Sequence, residues 1–357
     1  MSRSLKILHG PSNVGDQAWR LSQAERALGH DSQVWLASPE SFYPHHADKI
    51  ILDDQRPGWR NLASVGQTMF DIATRFDVVH FYFGRSFTHL NNFAWGRFSF
   101  ADLKLAKAMG KTVYITLQGC DLRLASVSNQ LHEISACKAG ACRHFASCID
   151  TRDGFRQRLM DEILPLADRV FVLNPDLLTY YPNAEFLPYA APDPALTDAA
   201  PETEGDRIKI VHAPSDTGIK GTTQVLQALQ AMKDRGWPID IDVVSGLTYP
   251  DALERYRAAD LCIDQVLAGW YGAVAVECMA LGKPVACYIR PEDLANVRNQ
   301  FTAALPIYPL SLASLEEDLQ RLLEDKENWP ARGRASQSFI QQHHNAEALA
   351  KRLLETL

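Results

Sequence analysis

Glu277 stands alone in an apolar run. The segment Gly272-Ala-Val-Ala-Val-Glu277-Cys-Met-Ala-Leu-Gly282 contains no other charged side chain. Burying an unpaired carboxylate costs on the order of several kcal/mol, or forces the group to neutralise. A single acid in a short helix that opens at the Gly269-Trp270-Tyr271-Gly272 turn is therefore suited to a hydroxyl-rich ligand, the alternative being a Glu277 that points to solvent. Gly282-Lys283-Pro284 would end that helix, and 285–288 reads as the buried strand that follows.

A second chemical segment is His212-Ala-Pro-Ser215-Asp-Thr-Gly218-Ile-Lys220-Gly221-Thr222, between a strand-like run and a helix-like run. A cation where a helix begins opposes the helix macrodipole, so Lys220 is better explained if an anion lies between the two. Diphosphate is the natural anion; an exposed lysine in a turn is the alternative. In the first half of the chain, Gly10-Pro-Ser-Asn13-Val-Gly15-Asp16 makes a turn after the first strand. Its glycines permit close backbone approach to a ligand, although the spacing is not that of a dinucleotide fingerprint. Gln118-Gly-Cys-Asp121 follows a later strand, and His80 lies within the strand 78–83, where a satisfied core histidine is the competing reading.

Four of the seven cysteines fall in Cys120-x16-Cys137-x4-Cys142-x5-Cys148, interleaved with Lys138, Arg143 and His144. This polar stretch lacks strand or long-helix periodicity, so thiolate ligation of zinc or of an iron-sulfur cluster is one way to order it. Reduced structural thiols are the main alternative and a disulfide the lesser one. Cys262, Cys278 and Cys287 sit in strand or helix runs and read as small core residues.

The elements that must position these residues follow from periodicity. Strands are expected at 5–9, 32–36, 78–83, 112–117 and 169–173, with helices at 17–28, 62–75, 100–109 and 155–166. A polar segment at 190–206, with Pro192, Pro194 and Pro201, reads as a linker. The alternation then restarts, with strands at 208–212, 239–244, 261–264 and 285–288 and helices at 222–235, 250–259 and 271–281. Strands alternating with helices imply α/β architecture with parallel sheets covered on both faces.

Length and charge bound the rest. A chain of 357 residues is long enough for about two domains. Its net charge of −7, without a Lys/Arg block, argues against extended nucleic-acid binding and leaves room for local peripheral membrane contact. No apolar run reaches the roughly 18 residues of a membrane span, and the N-terminal segment lacks a signal-peptide core, so a cytoplasmic location is expected.

Glycine turn, one-acid helix, Gly282-Lys283-Pro284-Val285 and strand together resemble the donor-sugar site of GT-B glycosyltransferases, in particular the large retaining family 4 group of nucleotide-sugar-dependent enzymes. The resemblance covers most of the chain. It implies two facing Rossmann-like domains: 1–190 on the acceptor side, with the cysteine-bearing loop at about 120–150, and 205–340 on the donor side. A C-terminal helix, 341–357, would cross back onto the first domain.

By the same resemblance, Glu277 holds the ribose hydroxyls of a UDP-, GDP- or dTDP-sugar. Lys220, Gly221 and Ser215, with the amides of Gly272, Ala273 and Val274, hold its diphosphate, and Asn13 and Gly15 approach from the first domain. Gln118, Asp121 and His80 are the candidate catalytic residues. Transfer would proceed with retention, without a strictly required cofactor, to a glycan, lipid-linked or small-molecule acceptor.

Three departures stand out. The family's motif carries a second acid eight positions before Glu277, where this chain has Gly269; its common Arg upstream of the Lys is replaced by the Pro214-Ser215 turn; and Gln118 stands where relatives have a His. Gln118 donates and accepts hydrogen bonds but shuttles no proton near neutral pH. The alternatives to a transferase are a non-hydrolysing sugar-nucleotide epimerase and a catalytically silent nucleotide-sugar-binding protein.

Overall fold

The computed structural model describes residues 3–88, 99–192, 206–301, 304–355 and 357, and the statements below concern these. Most of the expected linker therefore lies outside the described residues. The chain divides into two compact units, one formed by Met1–Leu124, Ile149–Ala190 and Ala346–Leu357, the other by Ala125–Cys148 and Ala191–Asn345.

The first unit holds a parallel sheet of β1 (Lys6–Gly10), β2 (Asp31–Leu36), β3 (Lys49–Ile50), β4 (Val78–Tyr82), β5 (Thr112–Leu117), β6 (Arg169–Val172) and β7 (Glu185–Phe186). Their order is β3-β2-β1-β4-β5-β6-β7, so the topology reverses between β1 and β4, whose register pairs His9 with His80. Leu8, Val79, Phe81, Val113, Ile115 and Val172 form the middle of its core. Central parallel strands are covered on both faces, which is why they carry near-continuous apolar runs. The helix expected at 155–166 is not one regular helix. An α-turn over Asp153–Arg158 gives way to a wide π-turn over Leu159–Ile163 and a tight 3-10 turn over Leu164–Leu166, where Pro165 removes a backbone donor. The C-terminal helix Ala346–Leu354 packs against the helix Gln17–Ala27, and Tyr114 on β5 donates its hydroxyl to the Leu353 carbonyl at 3.1 Å.

The second unit holds a parallel sheet of β8 (Ile208–His212), β9 (Ile239–Val243), β10 (Leu261–Ile263), β11 (Val285–Cys287) and β12 (Ile307–Pro309), in the order β12-β11-β10-β8-β9. Here the reversal falls between β8 and β10, and in open parallel sheets the crevice beyond the carboxyl ends of such a strand pair is the usual ligand position. Ala125–Cys148 groups with this unit, whereas the sequence places it in the first domain. Ala136 lies in the second unit's core, with Ile134 and Ala141 packed against it, so a few apolar anchors hold a segment without long periodicity.

Candidate functional site

The chemistry of the second unit converges beyond β8 and β10. The Lys220 ammonium lies 2.7 Å from Asp264 Oδ1, and the other oxygen of Asp264 accepts a 2.6 Å hydrogen bond from the Gly272 amide, where the helix Ala273–Ala280 begins. Asp264 is buried, and its side chain is fully inaccessible. Lys220 is thus paired with one of the protein's own carboxylates, which also holds the start of the helix Ala273–Ala280. Lys220 directly precedes Gly221, the N-cap of the helix Thr222–Asp234, as expected, but it also closes a short helix of its own. It ends the short helix Thr217–Lys220, where a cation favours the dipole, and Gly221 at φ 73° turns the chain into the helix Thr222–Asp234. A Cβ on Gly221 would meet Val266 Cγ2 at 2.4 Å, so close packing as well as conformation demands glycine there.

Glu277 is buried at 1% exposure in the helix Ala273–Ala280, as its apolar surroundings suggest. His212, at the end of β8, is held by its ring nitrogens to the Ile263 carbonyl and the Thr222 hydroxyl, each at 2.9 Å. Burial, the largest influence, lowers its pKa, and the charge of Lys220 adds to the effect.

Position 269, where the resemblance expects an acid, has a backbone conformation that favours glycine. Gly269 adopts φ 80°, and a Cβ there would lie 2.6 Å from the Arg290 guanidinium carbon. Arg290 is 4% exposed and paired with Asp293 at 2.5 Å, and it donates a 3.2 Å hydrogen bond to the Ile134 carbonyl. An arginine therefore fills the space beside the glycine turn. Sequence reading missed it because its partners lie in three separate stretches of chain.

A cavity of about 680 Å³ opens beside this region, between the Pro214–Gly218 turn, Ser245 beyond β9 and residues 139–146. Ser215 lines it, whereas Lys220, Gly272 and Glu277 do not. Asp216 caps the short helix by accepting from the Gly218 and Ile219 amides at 3.0 Å each. A Cβ on Gly218 would stand 2.2 Å from the Ala141 carbonyl oxygen, so the two loops meet backbone to backbone.

In the first unit the candidates lie on two loops and one strand. Asn13 is buried and spans its turn, donating to Asp16 at 2.9 Å and accepting from the Trp19 amide at 3.1 Å, while Gly15 supplies φ 61°. Beyond β5, both oxygens of Asp121 are occupied by backbone donors: the Gln118 amide at 2.9 and 3.0 Å and the Gly119 amide at 2.6 Å. Asp121 thus shapes the loop, and burial raises its pKa against the opposing pull of those amides. Arg123 grips Asp176 with a bidentate fork, and Asn174 donates to the Gln118 carbonyl. Gln118 is 7% exposed, and its Nε2 has no hydrogen-bond partner among the described residues. A buried donor of this kind is costly unless a ligand satisfies it.

His80 is 1% exposed and takes the core-histidine position. Its Nε2 lies 2.7 Å from the Thr116 hydroxyl, and its Nδ1 lies 3.2 Å from the Tyr82 hydroxyl. Burial, then His9 and Arg169, holds its pKa well below the usual imidazole range.

The four-cysteine ligand set does not fit this structure. Among the described residues no three His, Cys, Asp or Glu side chains come together in a way that could hold a metal ion. Cys120 belongs to the first unit, whereas Cys137, Cys142 and Cys148 belong to the second, where apolar anchoring orders the segment instead. Nor is any helix among the described residues long and apolar enough to cross a membrane.

The chain matches no protein-family model and no curated protein. Solved structures share its fold over nearly the whole length. A glycosyltransferase from Rickettsia africae aligns at TM-score 0.62 and 12% identity, covering 99% of this chain and 98% of that one. Anabaena HepE, solved with UDP-glucose, aligns at 0.60 and 11%, covering 99% of each chain. Sucrose-phosphate synthase from Thermosynechococcus elongatus aligns at 0.59 and 15%, covering 99% and 98%. The fold is accordingly that of the GT-B glycosyltransferases, with two α/β units built on parallel sheets.

Proposed function

We propose that the protein is a cytoplasmic glycosyltransferase that moves a sugar, with retention, from a nucleotide-sugar to a glycan, lipid-linked or small-molecule acceptor. The observation that carries this reading is the set of buried polar groups, Lys220, Asp264 and Gly272, fixed at the reversal point of the second sheet beside the helix that bears Glu277. Such a frame fixes the start of the helix that carries Glu277, so that a carboxylate suited to sugar hydroxyls is held in place before a ligand arrives. The GT-B fold of the glycosyltransferases named above supports the choice of chemistry, and HepE's bound UDP-glucose makes UDP-sugars the first donors to try. In the first unit, Gln118 contributes a buried hydrogen-bond donor and no proton shuttle. The leaving diphosphate would then take the acceptor's proton.

The test is a thermal-shift screen across UDP-, GDP-, dTDP- and ADP-sugars, followed by chromatography of the stabilising donor with and without acceptor extracts. One donor should raise the melting temperature and be consumed only with acceptor. Interconversion of nucleotide-sugars without acceptor would identify an epimerase, and binding without turnover a silent binder. No stabilisation by any nucleotide-sugar would overturn the reading.

A further inference from the structure

We infer that Arg143, on the cysteine-bearing segment 125–148, is a binding residue that grips the phosphate of a nucleoside diphosphate in the 680 Å³ cavity. The inference rests on the nucleotide-sugar reading and deepens it. Lys220, the cation the sequence singles out for the diphosphate, is committed to Asp264 at 2.7 Å, is only 8% exposed and does not line the cavity. Among the cavity's described lining residues Arg143 is the only cation. Its side chain is 77% exposed; its contact to Asp216 is long, at 3.6 Å, and its Nε donates an exposed 3.2 Å hydrogen bond to the neighbouring His144. Exposed pairs of this kind contribute little stability, so the guanidinium is released at small cost.

Asp216 is a weak competitor for it. Oδ1 already accepts two amide hydrogen bonds in capping the Thr217–Lys220 helix, leaving a single oxygen toward Arg143. A diphosphate offers several charged oxygens to the same planar fork, the geometry guanidinium binds in bidentate fashion. The remaining lining suits the same ligand. The Ser215, Thr217 and Ser245 hydroxyls serve phosphate or sugar oxygens, and Phe145 presents an aromatic surface. The wall that carries Arg143 is fixed by the contact between Gly218 and the Ala141 carbonyl, so the loop brings its cation to a set distance from the turn after β8.

The experiment uses the full chain and a panel of UDP, GDP, dTDP and ADP, with the tightest binder and its nucleoside taken forward. Arg143→Gln should weaken the nucleoside diphosphate about 10- to 100-fold, the loss expected for one charge-assisted contact, and leave the nucleoside unchanged. Its thermal midpoint should stay that of the parent, because the residue is exposed. Independently, iodoacetamide labelling of the parent, read peptide by peptide, should be slowed by the nucleoside diphosphate at Cys142, which lines the cavity, and not at the exposed Cys120. Unchanged affinity in Arg143→Gln, or equal labelling of Cys142 with and without ligand, would overturn the inference while leaving the transferase reading in place. Binding of no nucleoside diphosphate by the parent would overturn both.

Discussion

The Lys220 ammonium and the Asp264 carboxylate lie 2.7 Å apart with both side chains almost wholly withdrawn from solvent, though 44 residues separate them in sequence. Removing one partner leaves the other buried and uncompensated, at a cost of about 3–5 kcal/mol. Lys220→Met should therefore lower the stability of the second unit by roughly that amount. Adding Asp264→Leu should recover part of the loss. A double-mutant cycle by urea denaturation checks this; additive losses would show that the pair is not coupled.

Glu277 should matter for the ribose. In the parent, replacing a ribonucleoside diphosphate by its 2′-deoxy form removes one hydrogen bond to the carboxylate and should cost about 1.5–3 kcal/mol. Glu277→Gln, which keeps the shape and drops the charge, should bind the two forms more nearly alike. Titration calorimetry on the four combinations is the check, and undiminished discrimination in the variant would remove Glu277 from the site.

Gly218→Ala tests the backbone contact with Ala141. The added methyl cannot remain 2.2 Å from a carbonyl oxygen, so residues 139–146 must move. The expected loss of stability is about 1–3 kcal/mol, as for overpacked interiors, with faster alkylation of Cys142. Stability and labelling equal to the parent would show that the two loops do not touch in solution.

His80 predicts a pH dependence for the first unit. It is packed among His9, Tyr82, Tyr114 and Phe171, with the charges of Arg169 and Glu25 nearby. Because its folded pKa is depressed, the unfolded chain binds the extra proton as pH falls below about 6.5, and stability falls with it. His80→Gln should flatten the profile in that window, by up to about 1.4 kcal/mol per pH unit relative to the parent. Denaturation midpoints between pH 7.5 and pH 5 measure the difference; parallel profiles would mean that His80 does not titrate as argued.

The central strands were legible because each is a short apolar run bounded by turn residues, as in Ile208–His212 and Thr112–Leu117. The edge strands Lys49–Ile50, Glu185–Phe186 and Ile307–Pro309 are too short to show a period and were not anticipated. The later helices Leu315–Glu324 and Trp329–His343 were also passed over, the latter because Pro330 and Gly333 interrupt its helix-forming residues. The isolation of Glu277 pointed correctly to a buried acid. The clamp on Lys220 was out of reach, since no local pattern says which distant acid a lysine will meet. The same limit applies to Arg290, whose contacts with Gly269, Asp293 and Ile134 emerge only once the chain is folded. The cysteine segment misled for the opposite reason: proximity in sequence suggested one ligand cluster, but the residues are divided between two units.

The covalent path has a practical outcome for dissecting this molecule. The polypeptide passes between its units four times, at 124/125, 148/149, 190/191 and 345/346. A truncation near residue 190, where sequence alone would cut, strips the second unit of its 125–148 segment and the first unit of the helix lying on Gln17–Ala27. Half-molecules made in that way would report the loss of borrowed parts, so any exchange of the second unit must carry 125–148 together with 191–345.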